Sequence, residues 1–288
     1  MTRDGEWLLK EKYGGEKSEA FFADCKRLAA GEPLAHIIGW VPFLGCNIYL
    51  SADSEFDPPI PSSRRHREFP SGDETGIKAK QFALIPRPET EYWTEQAIAS
   101  IKALSPRQDL GSPLGLASGN VSILDLCAGS GCIGVAVAKY VPNAHVHLAE
   151  LDARHLPTIK KNLTENTIIY DSEKYSVFQS DLFANISETY DMILSNPPYI
   201  DPALDRTESS VKDHEPHHAL YGGEGGLELI EHIIAAAPKF LNQNGQLWLE
   251  HEPEQAAAIQ LLATKHGFAP RTHIDQYNVA RFSVLVVN

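Results

Sequence analysis

Leu124-Asp125-Leu126-Cys127-Ala128-Gly129-Ser130-Gly131-Cys132-Ile133-Gly134 is the stretch on which the fold turns. The apolar run from Val121 to Leu126 reads as a buried strand, the glycines as a turn, and the apolar stretch from Cys132 as a helix. Glycine lets the backbone turn tightly and approach a ligand, and the first turn of a helix carries N–H groups that have no partner within it. Gly129, Gly131 and Gly134 match G-x-G-x-x-G, a spacing too common to settle the ligand alone. Glu150 follows the next strand, His145 to Ala149, about 20 residues on, where a carboxylate can accept from both hydroxyls of a ribose.

Downstream the alternation continues. A helix from Ala153, strands Tyr175 to Gln179 and Asp191 to Leu194, a helix Leu227 to Leu241, a strand Gln246 to Glu250 and a helix from Glu254 are expected, and Phe268 to Asp275 and Arg281 to Val287 read as paired strands. Strands alternating with helices predict an α/β fold, a mostly parallel sheet covered on both faces with an antiparallel hairpin at one edge.

Upstream, residues 1–50 read as a small helical cap with Trp7, Leu8, Phe21, Phe22 and Leu28 as its apolar positions, followed by a break at Gly31 to Trp40 and a β-hairpin. Residues 51–80 turn to Pro, Ser, Gly and charge, including Arg64-Arg65-His66-Arg67, and a disordered insertion is expected there. Residues 81–288 form the main domain, entered through a helix that runs past Trp93 and Ile98 to Leu104, with a polar linker from Ser105 to Asn120.

The chain has 288 residues, enough for one large core and a small accessory unit. Its formal charge of −13 argues against exposed phosphate backbone as the main partner, so no stable nucleic-acid complex is expected. No apolar run reaches the roughly 18 residues of a membrane span. Cys25, Cys46, Cys127 and Cys132 show no Cys-x-x-Cys pair and no zinc spacing, so free thiols and no metal are expected. His214, His217 and His218 lack a ligand spacing too and read as a polar loop. Asp4, Glu6, Glu11 and Glu16 make the start of the chain unlike a transit peptide.

Ser195-Asn196-Pro197-Pro198-Tyr199 follows the strand ending at Leu194. Two prolines in a row give up their N–H groups and hold φ near about −65°, leaving the carbonyls of Asn196 and Pro197 stiffly aimed and free of sheet pairing. Asn196 adds a side-chain oxygen and Tyr199 a flat ring, a set suited to a planar group that carries an NH₂, such as a carboxamide or an adenine edge. Glu250-His251-Glu252 ends a strand on the same edge and reads as a satisfied strand terminus.

The glycine loop, Glu150, Asp181-Leu182-Phe183 and Asn196 to Tyr199, in this order, resemble class I amino-methyltransferases that use S-adenosylmethionine. Glu32-Pro33-Leu34-Ala35-His36-Ile37-Ile38-Gly39, Leu84-Ile85-Pro86-Arg87-Pro88-Glu89-Thr90-Glu91 and Glu215-Pro216 with Ala219-Leu220 and Gly222-Gly223 narrow the resemblance to the HemK/PrmC family, the peptide chain release factor glutamine methyltransferases. It covers residues 31–50 and 82–288. The resemblance implies a seven-stranded methyltransferase domain whose substrate is the glutamine in the Gly-Gly-Gln loop of a release factor. It implies that Ala128, Gly129, Ser130 and Gly131 hold the methionine end of the cofactor with Asp125 and Cys127 beside them, Glu150 the ribose, and Asp181 and Leu182 the adenine surroundings. Asn196, Pro197, Pro198 and Tyr199 become the catalytic loop on the glutamine amide, with Asn196 also bordering the cofactor. The family has a longer N-terminal helical domain and lacks the 51–80 insertion. A monomer is expected, placed in mitochondria if the source is eukaryotic and otherwise in the cytoplasm.

Three alternatives share some of these residues. An adenine-N6 methyltransferase on DNA or RNA would use the same acceptor loop on a flipped base, but the acidic composition and the Ile85 to Glu91 lead disfavour it. A non-catalytic cofactor-binding adaptor has no need of intact acceptors at Asn196. A nicotinamide dehydrogenase would keep the glycines and Glu150, and binding of S-adenosylmethionine against NAD separates it.

Overall fold

Thr2 and Ser18 each set a side-chain oxygen 3.2 Å from a backbone N–H one turn into a helix, those of Gly5 and Phe21, and so start α1 (Arg3–Tyr13) and α2 (Glu19–Ala29). The computed structural model describes residues 1–52, 82–104, 121–168, 170–204, 207 and 209–288, so most of the 51–80 insertion and the whole 105–120 linker lie outside the described residues. Leu8 and Phe21 meet Ile37 in a small core, and buried Asp24 beneath it accepts from Lys12 and Tyr13 at 2.7 Å and from Arg27 at 2.8 Å. The expected break at Gly31 to Trp40 contains a short helix instead, α3 (Leu34–Ile38), which Pro33 starts at its fixed φ and Gly39 ends in the left-handed region.

The hairpin stands where expected, as β1 (Trp40–Phe43) and β2 (Cys46–Tyr49), joined by Leu44 and Gly45 at φ 45° and 67°. Two left-handed residues give the turn whose twist matches that of paired strands. The Leu44 N–H is held at 2.6 Å by Glu91 of the lead helix α4 (Pro88–Leu104).

The main sheet contains β3 (Ser122–Leu126), β4 (His145–Glu150), β5 (Tyr175–Gln179), β6 (Tyr190–Ser195), β7 (Leu241–Glu250), β8 (Phe268–Ile274) and β9 (Ala280–Val287), in the order β5-β4-β3-β6-β7-β9-β8. All neighbours are parallel except β7 with β9 and β8 with β9, so the terminal hairpin is antiparallel, with β9 innermost. Successive side chains of a strand face opposite ways, and the two cores record it. Ile123, Met192 and Leu194 pack with Trp93 and Ile101 of α4, Val135 of α5 (Cys132–Tyr140) and Ile159 of α6 (Leu156–Asn166). Leu124, Leu126 and Ile193 pack with Ile230 and Ile233 of α8 (Glu228–Ala236) and Ile259 of α9 (Ala256–Lys265), while α7 (Ser209–His214) lies between β6 and α8 in the chain. Burying an aliphatic side chain is worth about 1.5–3 kcal/mol, and this two-sided demand makes Ile123 and Leu124 of β3 and Met192, Ile193 and Leu194 of β6 apolar without alternation.

Two boundaries differ from the sequence expectation. The helix expected to reach Leu241 stops at Ala236, because Pro238 has no N–H to continue it and a tight turn over Ala237–Lys239 follows. The strand expected from Gln246 begins at Leu241, where it pairs with Tyr190 across an irregularity in register. All four cysteines are unpaired. No helix among the described residues is long and apolar enough to cross a membrane.

Chain order along the sheet reverses between β3 and β6, and their carboxyl ends open a crevice there, the place where open α/β sheets bind ligands.

Candidate active site

The crevice is an open cavity whose walls come from the ends of four strands. Cys127 to Ser130 follow β3, Glu150 ends β4, Ser180 to Leu182 follow β5, and Asn196 and Pro198 follow β6. Close packing of α5 beneath the loop requires Gly134, since a Cβ there would lie 2.6 Å from Leu148 Cδ2. Asn162 of α6, fully buried, donates to the carbonyls of Ser130 and Tyr49 and accepts from the Tyr49 N–H, so the β1–β2 hairpin braces the glycine loop.

Glu150 accepts from the Gly129 N–H at 2.7 Å and the Asp152 N–H at 2.8 Å, leaving lone pairs on both oxygens toward the cavity. Burial pushes its pKa up, but the His155 imidazole and these two N–H groups outweigh burial and hold the carboxyl below its ordinary range. An ionised carboxylate at this point suits a vicinal diol. Asp125 sits elsewhere: it is fully buried under the loop, outside the cavity walls, and accepts from the Gly134 N–H at 2.8 Å. Burial, reinforced by Glu150, raises its pKa to about 8 against the pull of that N–H, and the bond to Gly134 fastens the start of α5.

Asn196 has the most informative surroundings. Its Nδ2 donates to Thr90 Oγ1 at 3.0 Å, and Thr90 donates to Glu250 Oε2 at 2.7 Å. Trp93 Nε1 reaches the same oxygen at 2.6 Å, and Tyr199 donates to Glu250 Oε1 at 2.8 Å. Three donors converging on two oxygens is the arrangement an ionised carboxylate satisfies, and they oppose the rise in pKa that burial imposes on Glu250. With its proton committed to Glu250, the Thr90 hydroxyl can only accept. Asn196 must therefore turn its amino group to Thr90 and its Oδ1 outward, and among the described residues nothing donates to Oδ1 or to the Pro197 carbonyl. The sequence singles out no role for Thr90, and for Glu250 it favours a strand terminus over a part in shaping the pocket.

Tyr199 does not face the main cavity. With Pro197, Leu84, Arg87, Val211 and Glu252 it lines a second cavity that adjoins the first and shares Asn196, Leu84 and Ala219 with it. The loop is thus a partition with Asn196 on both sides. Gln255 fixes its far end by donating to the carbonyls of Tyr199 and Gly225 at 2.8 and 2.9 Å. Gly226 must lack a Cβ, which at φ 66° would lie 1.9 Å from the Tyr199 carbonyl oxygen. Arg87 pairs at 2.6 Å with buried Glu215, which also accepts from the Ile85 N–H at 3.2 Å, tying the lead into α4 to the segment after β6. Of the three loop histidines, His218 lines the main cavity, while His214 and His217 bond to the carbonyls of Ser210 and Lys212.

Sheet order, glycine loop, carboxylate at the end of β4 and Asn-Pro-Pro-Tyr partition after β6 define a class I S-adenosylmethionine-dependent methyltransferase. The family named "Methyltransferase small domain" matches residues 109–212. The release factor glutamine methyltransferase of Rhodopirellula baltica is 34% identical over 220 residues, 75% of this chain and 69% of the relative. Proteins of the same name from Thermodesulfovibrio yellowstonii, Francisella tularensis and Streptococcus pneumoniae match at 29–34% identity. A 4-amino-L-phenylalanine/4-methylamino-L-phenylalanine methyltransferase of Streptomyces pristinaespiralis is 34% identical over 64% of this chain and 59% of the relative. Among solved structures, the hMettl16 catalytic domain in complex with the MAT2A 3′UTR hairpin 6 superposes with a TM-score of 0.53 at 15% identity, covering 73% of this chain and 74% of that one, a likeness of fold alone. The chain belongs to the release factor glutamine methyltransferase family.

S-adenosylmethionine is the cofactor, and the groups around the main cavity fit it: Glu150 would accept from the ribose hydroxyls, Asp181 and Leu182 would border the adenine, and the turn at Ala128 to Ser130 would take the methionine end, with Gly131 outside the cavity lining.

Proposed function

We propose that this enzyme methylates the side-chain nitrogen of the glutamine in the Gly-Gly-Gln loop of a peptide chain release factor. The observation that carries this is Asn196, shared by two cavities and holding a free acceptor at their junction. A carboxamide nitrogen is a poor nucleophile because its lone pair is delocalised into the carbonyl. With its two N–H groups donated to Asn196 Oδ1 and the Pro197 carbonyl, positive charge developing on nitrogen meets fixed dipoles, and the lone pair is turned toward the main cavity. When bound, the cofactor supplies a sulfonium methyl that is already activated. The two prolines keep the acceptors from reorganising, Tyr199 anchors the loop on Glu250, and the second cavity admits the acceptor side chain. The proton leaves the nitrogen to water.

We read the partner as the release factor alone, taken up by a monomer with no lasting hold on nucleic acid, since the chain carries a net charge of −13. The relatives named above are bacterial and lend no support to a mitochondrial placement. The similarity to the aminophenylalanine enzyme makes a small arylamine the acceptor to test against. Purified protein with labelled S-adenosylmethionine should label a release factor in preference to 4-amino-L-phenylalanine, DNA or RNA. Preferential labelling of any of the others would assign a different acceptor.

A further inference from the structure

His155 is 3% exposed and lines the cofactor cavity, yet neither ring nitrogen has a hydrogen-bond partner. An orphaned buried polar group costs about 1–3 kcal/mol, and such a group requires an explanation. The backbone explains why the ring stays: His155 closes the tight turn after β4, its N–H bonded to the Asp152 carbonyl at 3.0 Å, so the side chain is directed inward by the same turn that carries Glu150. Its Nδ1 lies 3.8 Å from Glu150 Oε1, too far for a direct hydrogen bond. The distance has another meaning. Two hydrogen bonds of about 2.8 Å that meet at one oxygen at about 85–110° place their outer atoms about 3.8–4.6 Å apart. His155 and Glu150 are therefore spaced to share one hydroxyl, which donates to the carboxylate and accepts from the imidazole.

We propose that His155 is a positioning residue for the cofactor, donating a ring N–H to the ribose hydroxyl that Glu150 holds. The proposal rests on S-adenosylmethionine occupying this cavity, and it adds a donor to a subsite otherwise built from one acceptor. Bound hydroxyl and imidazole then satisfy each other, and one of the two ring nitrogens orphaned in the free protein finds its partner.

The test is calorimetric binding of S-adenosylhomocysteine and of its 2′-deoxy and 3′-deoxy analogues to the wild type, His155→Asn and His155→Leu, with Glu150→Ala as control. Wild-type binding of S-adenosylhomocysteine, weakened by Glu150→Ala, establishes the subsite independently of His155. His155→Leu should then lose about tenfold in affinity for S-adenosylhomocysteine and less than about twofold for one of the two deoxy analogues, and His155→Asn should recover part of the loss. Without ligand, His155→Leu trades an unsatisfied polar ring for an apolar side chain but takes from buried Glu150 the imidazole that favours its charge, so the melting temperature of the free protein serves to confirm folding. Unchanged affinity, or an equal loss for all three ligands, in folded His155→Leu would overturn the assignment and leave His155 a packing residue.

Discussion

Thr90→Val removes one hydroxyl from the centre of the site and leaves its shape almost unchanged. In the wild type that hydroxyl gives its proton to Glu250 at 2.7 Å and accepts from Asn196 at 3.0 Å, which forces Asn196 Oδ1 outward. The correct orientation gains a hydrogen bond of about 1 kcal/mol, and the reversed one sets two acceptors against each other, so the preference amounts to about 2–3 kcal/mol. Valine abolishes it. Removing a preorganised group that touches the reacting atoms costs about 10²–10³ in rate, and losing only what orients that group must cost less. A fall in kcat of about 10- to 50-fold is expected, equivalent to about 1.4–2.3 kcal/mol. Single-turnover transfer from labelled S-adenosylmethionine to a release factor measures it, with Thr90→Ser restoring most of the rate. Since Thr90 acts through Asn196, Thr90→Val should add almost nothing to Asn196→Ala. Near-normal turnover in folded Thr90→Val, or full additivity with Asn196→Ala, would refute the relay.

Asn196→Ala should lower kcat by about 10²-fold or more while cofactor affinity by calorimetry stays within several-fold, because the lost acceptor acts on the transition state. Gly226→Ala forces a Cβ to within 1.9 Å of the Tyr199 carbonyl and should cost both turnover and at least about 2 kcal/mol of stability, read by denaturant melts. Asp152 is half-buried beside Arg154, whose guanidinium and N–H overcome the upward push of burial and lower its pKa from 3.8 to about 2. A depressed carboxylate pKa stabilises the fold above its unfolded value and loses that contribution as pH falls through its folded value. The stability gap of at most about 2 kcal/mol between wild type and Asp152→Asn, which keeps the cap on the Arg154 N–H, should thus be full above pH 4 and close toward pH 2. A gap independent of pH would refute the assignment.

The glycine loop, Glu150 and the Asn-Pro-Pro-Tyr turn were legible because each is a local pattern whose neighbours in sequence are its neighbours in space. Continuous apolar strands gave the two-sided sheet for the same reason. Thr90, Glu250 and Gln255 were not legible as a unit, since Thr90 and Asn196 are 106 residues apart and Thr90 and Glu250 160 apart. A threonine in a charged lead and a glutamate ending a strand carry no periodic signal, and only the fold brings them together. Asp125 shows the converse limit. Its place before the loop suggests contact with the cofactor, but strand alternation turns it under the loop toward Gly134. Likewise Leu227 to Leu241 has the apolar content of one helix, and the cost of Pro238 inside it set the true end at Ala236.

The central claim is that a glutamine side-chain nitrogen receives the methyl group at the junction marked by Asn196. Mass spectrometry of a release factor treated with the enzyme and isotopically labelled S-adenosylmethionine tests it most directly, by locating the label at atomic level. A single labelled methyl is expected on the amide nitrogen of the Gly-Gly-Gln glutamine, absent when that glutamine is replaced and strongly reduced with Asn196→Ala. A methyl on any other residue of the release factor, or labelling that survives loss of the glutamine, would contradict it.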